Sequence, residues 1–152
     1  MAEIFLNEDD LTIYQVSFPP NLFGIPHDHA GWAVIGVYSG TEAFNVYDEA
    51  DGRLRWRERK VLDAPRVDVL PADLIHDIDN PGPETSGSIH IYGNRHFDLP
   101  ERRIWRDGST VPEPFTLQKS IEYGMELTAR RRRELGLSEI EVPKMPDIDR
   151  AD

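Results

Sequence analysis

The 152-residue sequence contains no cysteine, which excludes disulfides, zinc–thiolate sites and a protein thiol nucleophile. Basic residues are in short supply: 17 Lys and Arg against 28 Asp and Glu give a formal net charge of −11. Clustered positive charge drives binding to nucleic acid and to anionic lipid, so neither is an expected partner. No apolar run approaches the ~18 residues of a membrane span. Met1–Asp10 is acidic and lacks the basic-then-apolar order of a signal peptide, so the expected location is cytoplasmic. Histidine is scarce too, and four of the five fall in three short stretches: Pro26-His27-Asp28-His29, Leu74-Ile75-His76 and Ser88-Ile89-His90-Ile91-Tyr92.

What is present suits one folded domain. The chain is 39% hydrophobic and 30% charged, far from disordered composition, and long enough to bury a core without staples. β-type runs recur along it: Leu11–Phe18, Trp32–Tyr38, Glu42–Tyr47, Arg53–Leu62, Arg66–Leu70, Gly87–Tyr92 and Arg102–Trp105. Turn residues separate these runs, predicting an all-β sandwich or barrel. From Thr116 to Leu135 the apolar spacing becomes helical and Gly136 supplies a stop. The expected organisation is a single domain over 1–137 that includes this helix, then an acidic extended tail over 138–152. The run Arg130–Arg133 reads as a solvated helix end, where cations are favourable.

Residues two apart in a strand share a face. His27 and His29 can therefore present two imidazoles to one point while Asp28 faces away and fixes the loop. Imidazole suits Fe, Zn, Ni and Cu, and His76 is the natural third ligand. Ser88, His90 and Tyr92 also share one face. His96 reads as a surface or loop histidine, and Tyr14, Tyr38 and Trp32 as core or pocket lining.

Gly24-Ile25-Pro26-His27-Asp28-His29 with Gly40 eleven residues on, and Pro71-Ala72-Asp73-Leu74-Ile75-His76 with Asn80 four residues on, together resemble the two-part signature of the cupins. That resemblance implies a double-stranded β-helix, a jelly-roll-like barrel holding a metal in its mouth. Within the cupins the chain is most similar to the thiol dioxygenases, which bind metal through three histidines and carry a Ser-x-His-x-Tyr strand after the third. The likeness covers about residues 24–94.

It implies an Fe(II) centre on His27, His29 and His76, with Ni, Zn or another divalent ion also acceptable to the same ligands. The catalytic group would be Tyr92, supported by His90 and Ser88; a small thiol and O2 would be the substrates, and a homodimer the assembly. Two features depart from the family. Val34 stands where animal members carry a crosslinked cysteine, and the upstream arginine that grips the substrate carboxylate has no counterpart. Arg95, Arg102 and Arg103 follow the Tyr92 strand within reach of the barrel mouth, although each reads more readily as a surface residue; Arg95 and Trp32 are the residues assigned to substrate here. Two alternatives stay open: a cupin oxygenase or isomerase acting on a non-thiol organic acid, and a non-enzymatic cupin that binds a ligand or partner.

Overall fold

In the computed structural model, which describes residues 2–141, two sheets face each other across one core. The first has the order β1-β2-β8-β3-β6, from Ala2–Asn7 (β1), Thr12–Phe18 (β2), Ser86–Tyr92 (β8), Ala33–Ser39 (β3) and Arg66–Leu70 (β6). The second runs β5-β4-β7, from Arg53–Asp63 (β5), Thr41–Ala50 (β4) and Ile75–His76 (β7). It continues through bridges from His27 to His76 and from His27 to Ile104 into Arg103–Ile104 (β9) and Glu113–Pro114 (β10). Every pairing is antiparallel.

Strand parity builds the interior. Ala33, Ile35 and Val37 on β3 and Phe44 and Val46 on β4 all point inward and pack with Leu62, Leu70, Leu74, Ile78 and Tyr92. The expected strands are found, with three additions: the two-residue β7 and β10, and β1, which lies within the acidic N-terminal stretch that gave no strand signal and pairs with β2 through a bulge between Ile4 and Leu6.

One helix, α1 (Leu117–Glu134), follows. Thr116 caps it by accepting from the Lys119 amide, and Gly136 ends it at φ +70°, in the left-handed region that favours glycine. Tyr123 of α1 joins Ile25 and Ile104 in a second cluster, flanked by Leu127 and Phe115, so α1 lies against the second sheet. The arginine run is not uniformly solvated. Arg132 is buried, and its guanidinium donates to the Pro20 and Ser138 carbonyls, both at 2.6 Å. Most of the expected tail, 142–152, lies outside the described residues. Among the described residues no helix is long and apolar enough to cross a membrane.

Candidate metal centre

The first ligand stretch is an extended segment, not a regular strand, and it is held by neighbours. Gly24 lets the chain pass against the Ile78 backbone, where a Cβ would collide. His27 and His76 then exchange both backbone hydrogen bonds, N to O at 2.9 and 3.0 Å. Such a pair sets its two side chains side by side on one face. His29 follows two residues on, still facing inward. Asp28 points the other way, where its carboxylate accepts from the Arg103 amide at 2.6 Å and from Arg103 Nε at 2.7 Å.

The result is a cluster in which one ring nitrogen from each of His27, His29 and His76 lies within 4.8 Å of the others. His29 Nε2 and His76 Nε2 are 3.0 Å apart. Two nitrogens bound to one ion at ~2.1 Å sit roughly 3.0–3.5 Å apart, so the His29–His76 spacing fits a shared cation. His27 Nδ1–H is engaged by the Ile25 carbonyl at 2.9 Å. That fixes the tautomer and leaves Nε2 with its lone pair for a metal. The chemistry of the set agrees, because a ligand must be neutral to bind. Burial lowers His27 to about 4 and holds His29 and His76 well below their ordinary 6.5, with positive neighbours adding to the effect.

These shifts carry a stability consequence. His90 is lowered to about 3 and His96 well below normal, both chiefly by burial. A histidine with a depressed folded pKa binds its proton mainly in the unfolded chain. Its stabilisation is present above pH 6.5 and is lost as the pH falls toward the folded value, by about 1.4 kcal/mol per pH unit for each group. Asp77, raised to about 6 by burial beside Asp79, and Glu42, raised by burial, act in the opposite direction, but they are two groups against five. Denaturant midpoints of metal-free protein are therefore expected to drop steeply between pH 6.5 and 4.

Beside the triad, Ser88 Oγ lies 3.0 Å from His90 Nε2, and His90 Nδ1 lies 2.9 Å from the Tyr92 hydroxyl. Tyr92 packs edge-on against His29. Tyr14 lines the same space, its hydroxyl 3.3 Å from both His90 Nδ1 and the Tyr92 oxygen.

Two residues stand apart from where the sequence reading put them. His96 is buried, with its ring stacked on Tyr92 at 3.4 Å between centroids and 5.7 Å from His29. Arg102 is 1% exposed. Its Nε and Nη1 donate to the Asp28 and His96 carbonyls at 3.1 and 2.6 Å, its guanidinium covers Phe115, and Nη2 has no partner. No carboxylate pairs with it among the described residues, and its charge depresses His27, His29, His76 and His96.

Arg95 and Trp32, the residues assigned to substrate, are not brought to the centre. Arg95 is exposed and pairs with Asp98 and Asp9. Trp32 lies over Gly93 and is 47% exposed. It precedes the inward Ala33, so strand parity turns it outward.

No protein-family model and no curated protein matches the sequence; solved structures do. They include a cupin superfamily protein from Desulfitobacterium hafniense, 17% identical over 62% of this chain and 76% of that one, with a TM-score of 0.51. An RmlC-like cupin with a double-stranded β-helix from Methanocaldococcus jannaschii is 12% identical over 62% and 80%, TM-score 0.53. A recombinant oxalate oxidase in complex with glycolate is 18% identical over 86% and 71%, TM-score 0.55. Cupins are thus among the structures that this chain is similar to, and the chain has the cupin double-stranded β-helix fold.

Proposed function

We propose that the protein is a mononuclear cupin dioxygenase that holds a divalent metal, preferably Fe(II), on His27, His29 and His76. Its substrate is a small thiol bearing a carboxylate, and both atoms of O2 enter the sulfinate product. One observation carries this reading: a buried guanidinium without a counter-ion among the described residues stands beside a neutral three-histidine cluster. An uncompensated buried charge costs several kcal/mol. A carboxylate received on the free Nη2 of Arg102 would remove that cost and set the rest of the substrate against the metal. When bound, the metal would supply Lewis acidity toward the thiol sulfur and a path for electrons to O2.

The chain's own residues do the rest. Arg102 orients the acid. Phe115 and His96 wall the space and exclude water, and the Tyr92 hydroxyl offers a hydrogen bond at the reacting end while His90 holds its other side. Oxygen uptake by Fe(II)-loaded protein with cysteine, 3-mercaptopropionate and mercaptosuccinate tests the reading, and no uptake with any of them would sink the thiol substrate. Tyr92→Phe is expected to retain metal and lose at least about 10²-fold in kcat, the usual worth of a positioned proton donor or acceptor.

A second reading has its own support. The similar oxalate oxidase carries glycolate, a non-thiol hydroxy acid, and an arginine such as Arg102 would hold that class equally well. Uptake of oxygen with oxalate or glycolate but with no thiol would select it.

Assembly as a homodimer belongs to the same reading. On the outward face of the first sheet, Val69, Val34, Ile91, Ile13 and Leu6 lie in one register across all five strands. Beside this ridge run Val67, Gly36, Ile89, Gln15 and Glu3, where Gly36 leaves a groove next to Tyr38 and Pro65. Only Glu3 is charged among the ten. Ridge and groove on one face are self-complementary under a two-fold axis, and copies of charge −11 meet with least repulsion there. Light scattering is expected to show a dimer that tightens with salt, and Val69→Glu to make it monomeric.

A further inference from the structure

His29 and His76 are fully buried, and Tyr92, His90, Arg102 and His96 are at most 3% exposed. Of the three ligand histidines only His27 keeps part of its surface in solvent. Protein interiors are packed too closely to pass an ion or an organic acid, so some group must move before either reaches the centre. Phe115 stands where His27 reaches the surface. Its half-buried ring is centred 3.5 Å from the Arg102 guanidinium carbon, 5.9 Å from the His27 ring and 6.3 Å from the His96 ring.

The backbone on either side of Phe115 is fixed. β10 pairs with β9, Pro114 against Arg103. The Phe115 amide donates to the Arg102 carbonyl at 2.9 Å, and the Thr116 hydroxyl accepts from the Lys119 amide at the start of α1. What can move is the side chain. It has no polar atom, so only packing against the cluster of Ile25, Ile104 and Tyr123 and the contact of its π face with the Arg102 cation hold it. Tyr14 is half-buried too, but its hydroxyl is tied to His90 Nδ1 and to the Tyr92 oxygen, both at 3.3 Å. Swinging Tyr14 out would break both bonds.

We propose that Phe115 is the gating residue of the metal centre: its ring swings off Arg102 to open a passage past His27 and closes again behind the ion. Side-chain rotamers exchange quickly, so the gate acts through the fraction of time for which the passage is open. That fraction is set by the contact the ring gives up in leaving the guanidinium. The same movement uncovers Arg102 for an arriving carboxylate, a role that rests on the function proposed above. Passage of the ion rests only on the three-histidine ligand set, so it is tested without substrate or O2.

The experiment is stopped-flow absorbance of Co(II), an ion that imidazole ligands also accept, binding to metal-free protein, with release followed in excess chelator. A gate that is shut in both the free and the loaded protein slows entry and exit by one factor and leaves the equilibrium untouched. Phe115→Ala is therefore expected to raise both rate constants by about 10- to 30-fold, the weight of a desolvated cation–π contact, with Kd unchanged. Phe115→Tyr keeps the ring and should exchange at the wild-type rates. Phe115→Leu keeps the apolar packing but has no π face, and should raise both rates by at least about 3-fold, so the test does not depend on the alanine variant folding. Rates that stay at wild-type values in the leucine or alanine variant overturn the gate and leave the metal site standing. A rise in the exit rate alone, which marks a weakened site, overturns it as well. Wild-type protein that binds no Co(II) overturns the ligand set and the gate with it.

Discussion

Arg102→Lys is expected to leave metal content intact and to raise KM for a carboxylate-bearing substrate by about 10- to 100-fold, the worth of one charged hydrogen bond. Lysine keeps the positive charge but lacks the planar fork. The fork matters because two of the three guanidinium nitrogens are already committed, Nε to the Asp28 carbonyl and Nη1 to the His96 carbonyl. Among the described residues only the third, Nη2, has no partner. An ammonium at that depth must choose between the carbonyls and the ligand. Steady-state kinetics with paired substrates gives the decisive contrast: the KM penalty should vanish when the substrate carboxylate is replaced by a neutral amide. A penalty that persists with the amide would mean that Arg102 only braces the His27–His29 segment.

The second large effect is at His76. Replacing it with alanine removes one of three ligands and is expected to weaken Zn(II) or Fe(II) binding by at least about 10²-fold, at a few kcal/mol per ligand. The same substitution makes metal-free protein less sensitive to acid. One histidine that is neutral when folded disappears, so the fall in stability between pH 6.5 and 4 should shallow by about 1.4 kcal/mol per pH unit. The two measurements move in opposite senses, which separates loss of a ligand from general loss of fold. Isothermal titration gives the first and denaturant midpoints across pH give the second.

How much of this the sequence disclosed follows from where each signal resides. His27 and His29 were legible because alternation is local, and it survives although the segment is no regular strand. The contact between His27 and His76 was not local. It is made by one bridged pair 49 residues apart in the chain, and only the two-part motif pointed to it.

Strand parity also settles the direction of two further residues. With Ala33, Ile35 and Val37 inside, Trp32 had to face out; with Phe44 and Val46 inside, Glu42 had to face in. Arg102 is the harder case. It sits in Pro100-Glu101-Arg102-Arg103, whose charge reads as surface, and its burial arises because β9 docks beside His27 and Phe115 closes over it. His96 was obscured in the same way, by the turn at Gly93-Asn94 that folds it back onto Tyr92. β1 was missed because its acidic setting masked the apolar Ile4 and Leu6.

The account stands or falls on the three histidines acting as one ligand set. Metal analysis of protein purified without chelators, beside His76→Ala prepared identically, tests this most directly. The account predicts about one transition-metal ion per wild-type chain, or full loading with a clear rise in melting temperature on adding Fe(II) or Zn(II), and neither in the variant. Wild-type protein that is metal-free as isolated and shows no thermal shift with either ion would contradict it.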